Sequence, residues 1–310
     1  MKRYAHLWVY LIVLLCFACA GGQPGPPLPE ASADGMKELR KGIGWYQKGC
    51  YQKSLNNFLR AFEDFAVSDY LPGTAICMNN IGNVYRFIGD IESALLFFDA
   101  SYGIYMDLDD RRGAVQALAN KSAVLLKENR IEEAEAVIQQ AEALQSTAGI
   151  TSVPLLNNKG ILFSKKKDYA AAENTFKQAL QETTSDNFRM LATVNAAMGN
   201  LEMETGDHVQ AVDYFKKALE ADRTTGNQAG IADDLTAIGT AYYLQQDYAS
   251  ALNYLKRGVK IHAILSKADQ VSGSMAMMEK ASEATGIDIS VTRYFVEKWV
   301  AGELLSEPCR

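Results

Sequence analysis

The sequence predicts an all-α fold, an elongated solenoid of paired helices, and three observations support it. One frame of seven positions recurs six times, apolar residues within each copy lie three and four positions apart, and the alternation typical of strands is absent. Such spacings place side chains on one face of a helix, and a turn residue in mid-frame separates two helices. The second copy of the frame reads Gly82, Tyr85, Gly89, Ile91, Ala94, Phe98 and Ser101.

The six copies are evenly spaced, which indicates a repeated structural unit and not a single site. Their first positions are 40, 40, 38, 39 and 40 residues apart, and the residues there are Gly42, Gly82, Ser122, Gly160, Gly199 and Gly239. We expect this small residue and the Ala at the fifth position to lie where the two helices of a pair cross, because a larger side chain would separate the backbones.

An aspartate precedes the second helix in four copies, and a row of carboxylates could indicate a metal or acid–base site. Each stands directly before the predicted helix start, where its side chain can accept from a free backbone N–H. Successive repeats also set these residues roughly a helix diameter apart, too far to share an ion. We therefore predict helix N-caps at Asp90, Asp168, Asp207 and Asp247.

Charge and residue chemistry exclude several classes of function. The formal net charge of the 310 residues is −6, which argues against nucleic acid as the main partner, because phosphate neutralisation needs a basic face. His208 and His262 stand alone on predicted helices, and no Ser or Cys nucleophile has an evident base. Cys50, Cys77 and Cys309 form no CxxC motif. We predict no enzyme activity, no metal and no cofactor; Cys50 and Cys77 are expected to be buried small hydrophobic residues, without a disulfide framework.

Residues 1–18 are typical of a signal peptide, because Lys2 and Arg3 precede the short apolar run LWVYLIVLLCFA and small residues follow it. The stretch CFAC at 16–19 resembles the lipobox of bacterial lipoproteins, which implies that Cys19 is lipidated and becomes the mature N-terminus. Cys16 and Phe17 depart from that motif, so a plain cleaved signal and an uncleaved anchor stay open. The Pro- and Gly-rich residues 19–35 predict a lipid-anchored linker.

The repeated frame resembles the tetratricopeptide repeat, with a period near 40 residues instead of about 34. The resemblance covers residues 36–266 and implies a right-handed superhelical solenoid of six helix-turn-helix repeats whose helices line a concave groove. Residues 267–310 lack the frame and predict two capping helices, the first over 268–285 and ending at Gly286. We expect them to cover the last repeat. A binding stripe of Tyr294, Phe295 and Trp299 is the alternative.

Asparagines recur on one face of the predicted first helices. Asn80, Asn120 and Asn158 each stand two positions before the first residue of the frame. In the family this face lines the groove, so the resemblance implies that these amides bind the backbone of an extended peptide, to which an amide can both donate and accept. The alternative is a solvated polar face. A dedicated carboxylate clamp is not expected, because Leu39 and Ile43 occupy two of its places. The predicted groove residues are Asn79, Asn80, Asn83, Arg86, Asn120, Asn157, Asn158, Asn200 and Tyr243.

These features predict a non-catalytic protein–protein interaction scaffold whose partner is a protein or peptide. It resembles the repeat lipoproteins that assist secretin, pilus or outer-membrane assembly, which implies an exported, periplasm-facing protein held at the outer membrane by its lipid. Two alternatives stay open, an accessory or adaptor subunit of an envelope-polymer enzyme and a peptide-sensing regulatory protein in the cytoplasm.

Overall fold

The computed structural model describes residues 30–265, 268–303 and 309, and within these ranges the chain forms fourteen α-helices and no strand. The predicted all-α class is confirmed. In chain order the helices are α1 (Glu30–Gln47), α2 (Tyr51–Val67), α3 (Leu71–Ile88), α4 (Ile91–Asp107), α5 (Arg111–Lys127), α6 (Ile131–Ala148), α7 (Val153–Lys165), α8 (Tyr169–Glu182), α9 (Phe188–Thr205), α10 (His208–Thr225), α11 (Gln228–Leu244), α12 (Tyr248–Ile264), α13 (Ala268–Thr285) and α14 (Ser290–Val300). In the described part of the chain, no helix has the length and apolar character needed to cross a membrane.

The first twelve helices form six hairpins, and the first residue of the frame lies where the two helices of a hairpin cross. A Cβ placed on Gly82 would come within 2.8 Å of the Phe98 ring. The same contact recurs at Gly160, where the nearest carbon of the Phe176 ring would be at 2.4 Å. Since a methyl group cannot fit at these distances, the predicted helix crossings are confirmed. Equivalent glycine contacts occur at Gly42, Gly199 and Gly239.

The turn within each hairpin follows one local design. All six turn residues of the frame have positive φ, between 58° and 89°, and they are Gly49, Gly89, Asn129, Lys167, Gly206 and Gln246. This left-handed residue ends the first helix, and a cap then starts the second. The predicted N-caps are confirmed, because each carboxylate accepts from the backbone N–H three residues further on, at Asp90, Asp168, Asp207 and Asp247.

The first helix begins earlier than predicted. Residues 30–35 were expected to belong to the linker, but they form the start of α1. The Ser32 side chain is fully buried, and its Oγ donates to Ser68 Oγ at 2.9 Å. Gly35 lets the Phe65 ring approach to 2.6 Å from where a Cβ would lie. These small residues pack against the end of α2. The linker was predicted from its Pro and Gly content, and composition does not indicate such packing. The rest of the predicted signal and linker, residues 1–29, lies outside the described residues.

The solenoid has an inner and an outer layer. Successive odd-numbered helices from α1 to α13 contact one another, whereas the described even-numbered helices α2 to α12 have no comparable contacts between successive members. The odd-numbered helices are therefore closer together and lie on the concave side of the curve. This arrangement places the first helix of every hairpin along the inner face, where the predicted groove residues lie.

The two C-terminal helices pack against the sixth hairpin, α13 on α11 and α12, and α14 on α12 and α13. Ile289 and Val296 are buried there, and Trp299 packs partly against the same cluster. Tyr294 and Phe295 were expected to help cover the last repeat, but they remain 55% and 43% exposed. The buried part of the cap on α14 is thus mainly aliphatic, while the exposed rings of Tyr294 and Phe295 contact each other, with their centroids 5.3 Å apart.

The curvature brings the two ends of the solenoid together. A Cβ on Gly49, in the turn of the first hairpin, would lie 3.4 Å from Leu265 at the end of the sixth. Beside it, Cys50 and Cys309 form a disulfide across 259 residues of sequence, with their Cα atoms 5.3 Å apart. The expectation that Cys50 is only a small hydrophobic residue is therefore wrong. Cys77 is a buried free thiol, as expected, and burial raises its pKa to about 12.

Candidate functional site

The inner face of α3 carries four of the predicted groove residues, all of them half-buried. Asn80 Nδ2 donates to the Ile76 carbonyl at 2.8 Å, and Asn83 Nδ2 donates to the Asn79 carbonyl at 3.1 Å. Both bonds stay within the helix, and neither uses the side-chain oxygen. These oxygens are suitable acceptors for a peptide N–H laid along the inner face.

Asn120 connects two inner helices. Its Nδ2 donates to Asn79 Oδ1 at 2.9 Å, so the amide links α5 to α3. Its own oxygen accepts from Gln116 Nε2 at 3.2 Å. Part of the predicted amide ladder is thus already engaged in holding neighbouring inner helices together.

Asn157 and Asn158 lie deeper still, at 4% and 5% exposure. Asn158 Nδ2 donates to the Ala119 carbonyl at 2.6 Å and to Ser122 Oγ at 2.9 Å, which ties α7 to α5. Asn158 was predicted to line the groove and bind a peptide, but its side chain is buried because α5 and α7 are in contact. Asn157 Oδ1 is buried without a hydrogen-bond partner among the described residues.

The remaining predicted residues lie further along the inner layer. Asn200 follows the small residue of its repeat as Asn83 does, and it is exposed on α9. Tyr243 is half-buried on α11, with its ring centroid 5.4 Å from that of Tyr248. The inner face therefore carries separate accessible groups on α3, α9 and α11, and no continuous row of asparagines.

A cluster of aromatic rings stands beside Arg86, and the sequence analysis missed it. The Phe87 ring centroid lies 5.1 Å from that of Tyr51, in a stacked arrangement, and 5.4 Å from that of Tyr46. The Arg86 guanidinium lies 4.6 Å from the Phe87 centroid. Tyr46 and Tyr51 already contact each other across the turn of the first hairpin, with ring centroids 5.7 Å apart, and the approach of α1 to α3 brings Phe87 to them. This aromatic cluster comprises Tyr46, Tyr51 and Phe87.

Arg86 presents an unused donor at this cluster. Its Nε is buried and has no hydrogen-bond partner among the described residues. Burial raises the pKa of Tyr46, and the charge of Arg86 and a side-chain hydrogen bond between Arg86 and Tyr46 oppose that shift. A buried donor without a partner costs free energy of about 1–3 kcal/mol, so an acceptor brought by a ligand would relieve it.

Charged groups of the fifth and sixth hairpins lie near this cluster, because the two ends of the solenoid meet here. Arg189, near the start of α9, is close enough to lower the pKa of Tyr46, against the larger effect of burial. Burial raises the pKa of Tyr51, and the charges of Tyr46 and Asp233 raise it further. Asp233 Oδ1 lies 3.5 Å from His262 Nε2. The first, fifth and sixth hairpins thus contribute to one polar and aromatic region beside the turn of the first hairpin.

A buried carboxyl lies behind Asp233. Asp234 is 4% exposed, and its Oδ2 has no hydrogen-bond partner in the part of the chain that the structure describes. Burial raises its pKa to about 8, and the neighbouring Asp222 and Asp233 add to the shift. Across the described residues, no group of three or more His, Cys, Asp or Glu side chains is arranged to hold a metal ion.

Two tetratricopeptide repeat family models match the chain, one over residues 44–107 and 190–263 and the other over residues 153–183. Together these ranges cover more than half of the 310 residues.

Solved structures of similar fold include two complexes of Rap proteins. One is a Rap protein complexed with competence and sporulation factor, which is 12% identical to this chain. The match covers 81% of this chain and 75% of the Rap chain, with a TM-score of 0.54. The plasmid-encoded Rap conjugation gene regulator in complex with the Phr* peptide is 14% identical, with 99% and 89% coverage and a TM-score of 0.56.

A signal transduction ATPase with a tetratricopeptide repeat sensor, from Pyrococcus horikoshii, has a similar fold. It is 14% identical, and the match covers 81% of this chain and 45% of the ATPase chain, with a TM-score of 0.56. At these identities the likeness concerns the fold alone. The frame, the helix crossings and the family models agree, and the chain belongs to the tetratricopeptide repeat family.

Proposed function

We propose that this protein is a non-catalytic scaffold that binds an extended segment of a partner protein along its inner face. The observation that carries the proposal is Arg86 beside the aromatic cluster, because its buried Nε has no hydrogen-bond partner among the residues that the structure describes. An extended segment offers carbonyl groups for this donor and N–H groups for the oxygens of Asn80 and Asn83. Aromatic rings at 5–6 Å spacing supply apolar surface for its side chains.

The binding region combines charges of both signs. Arg86 and Arg189 are close enough to Tyr46 to lower its pKa, and Asp233 is close enough to Tyr51 to raise that of Tyr51. Such a surface favours a partner segment that carries both an acidic and a basic side chain, because each would find an opposite charge. Peptide backbone contacts alone would not select among sequences.

We further propose that the protein is exported and anchored through Cys19, with its repeats facing the periplasm at the outer membrane. The disulfide between Cys50 and Cys309 supports export, since disulfides persist in oxidising compartments and are rare in the cytosol. The basic and apolar start of the chain and the CFAC stretch supply the sorting features.

A peptide-sensing regulator is the second candidate. It is favoured by the Rap conjugation gene regulator, whose fold matches over 99% of this chain and whose structure is a complex with a peptide. A sensor of that kind would be found uncleaved in the cytosol. Cell fractionation therefore separates the two candidates, because an anchored scaffold would be found with membranes.

The experiment that tests the scaffold uses a photo-crosslinking amino acid at single positions of the full chain in its native cells. Positions 83 and 200 lie on inner helices, and the control, position 56, is an exposed asparagine on the outer helix α2. We expect the same partner to be captured from both inner positions and not from position 56. Equal capture at inner and outer positions would argue against binding along the inner face.

A further inference from the structure

The ends of the solenoid meet through few noncovalent contacts. The turn at Gly49 touches Leu265, but α1 and α2 have no extensive packing against α11, α12 or α13 among the described helices. Repeat arrays are held mainly by contacts between neighbouring units, so small changes at each interface add up to a large displacement of the ends. Noncovalent contact at the turn is therefore a weak restraint on closure.

A covalent restraint acts at the same place. Cys50 is the residue before α2 and is buried, and its sulfur is bonded to that of Cys309, beyond the last helix. The bond therefore connects the first hairpin with the C-terminal segment that follows the cap. No other described pair of cysteines is bonded, and the remaining thiol, Cys77, is buried on α3.

We propose that the disulfide between Cys50 and Cys309 is a redox-controlled clasp that holds the first and sixth hairpins together. When it closes, the two thiols lose two electrons and two protons to an oxidised dithiol protein or a small-molecule disulfide, and the S–S bond forms. When it opens, a dithiol reductant gives two electrons and two protons, so that the S–S bond is broken to two thiols and the reductant becomes a disulfide.

The clasp controls the region where the two ends meet. Arg189 at the start of α9 is close enough to lower the pKa of Tyr46, and Asp233 on α11 is close enough to raise that of Tyr51, so both pairs depend on the closed curve. With the clasp open, the curve relaxes and these pairs separate. The polar and aromatic region formed by the first, fifth and sixth hairpins is then lost. The aromatic cluster itself remains, because its rings belong to the first two hairpins.

Hydrogen exchange of the full chain, measured by mass spectrometry, tests the clasp without any partner. In the oxidised protein the turn is ordered, with Gly49 N–H donating to the Tyr46 carbonyl and Cys50 N–H to the Trp45 carbonyl. We expect a dithiol reductant to accelerate exchange several-fold in residues 47–51 and at the starts of α9 and α11. Exchange within α5 to α7 should not change, since these helices lie far from the clasp.

Two variants complete the test. Cys309→Ser should show the fast pattern even under oxidising conditions, while Cys77→Ala should behave as the wild type and respond to reductant. A 50–309 cross-linked peptide should be recovered from a non-reducing digest of the oxidised protein. The proposal is overturned if that peptide is absent, or if Cys309→Ser exchanges like the oxidised wild type. Neither readout depends on a partner, so failure here is distinct from failure of the scaffold.

Discussion

Asn158 on α7 donates to the carbonyl of Ala119 on α5 at 2.6 Å, and this bond joins two inner helices of successive repeats. Because the amide is buried, Asn158→Ala should leave the Ala119 carbonyl and the Ser122 hydroxyl without this donor. We expect the free energy of unfolding to fall by about 1–3 kcal/mol.

The matched control is Asn200→Ala, since Asn200 is exposed on α9. Its effect on stability should stay within about 0.5 kcal/mol, as for other surface substitutions. Urea unfolding of the three proteins checks both statements. Equal stability of the two variants would mean that the bond between α7 and α5 does not stabilise the array.

Alanine substitutions at two glycines on adjacent helices should change the stability of the fold in opposite directions. A Cβ at Gly82 would lie 2.8 Å from the fully buried Phe98 ring, whereas a Cβ at Gly103 would meet nothing within 4 Å. Gly82→Ala should destabilise the fold by about 1–3 kcal/mol through overpacking. Gly103→Ala should stabilise it by up to about 1 kcal/mol, through helix propensity. Thermal unfolding that moves in the same direction for both would contradict the crossing at Gly82.

The buried carboxyl of Asp234 should make stability depend on pH. Its pKa is about 8 in the folded chain, above the ordinary value of 3.8, so the folded state keeps a proton that the unfolded state has released. Stability from this group is therefore complete below pH 4 and is lost as pH rises towards 8, at no more than about 1.4 kcal/mol per pH unit.

Asp234→Asn removes that dependence, so its advantage over the wild type should grow between pH 4 and pH 8. Asp247→Asn is the contrasting variant, because hydrogen bonds from Ser250 lower the pKa of this N-cap. Its wild-type carboxylate stabilises above the ordinary pKa and loses that effect as pH falls. Unfolding curves across this pH range would refute the assignment if Asp234→Asn ran parallel to the wild type.

The lipid anchor predicts different roles for two cysteines near the start of the chain. Cys19→Ala should abolish incorporation of labelled palmitate and release the protein from the membrane fraction. Cys16→Ala is the matched control and should remain labelled and membrane-bound, since the resemblance places the lipid on Cys19. A wild-type protein that takes up no palmitate would exclude lipidation.

Local features of the fold were predictable from sequence, because they depend on neighbours within one repeat. Asp90 caps its helix and Gly82 faces Phe98 as the frame implied. The burial of Asn158 was not predictable, since it depends on how closely α5 and α7 approach. The bond from Cys50 to Cys309 was also beyond the pattern, because it results from curvature summed over six repeats. The contact of Phe87 with Tyr46 and Tyr51 was not predictable either, because it depends on how the first two hairpins pack.

The central claim, binding along the inner face, is tested most directly by the affinity of the full chain for the partner captured by crosslinking. Arg86→Gln should weaken binding about 10- to 100-fold, because a hydrogen bond from a charged group contributes about 1.5–3 kcal/mol. Asn56→Ala, on the outer helix α2, should bind as the wild type does. Unchanged affinity of Arg86→Gln, measured by calorimetry on variants of equal thermal stability, would contradict the claim.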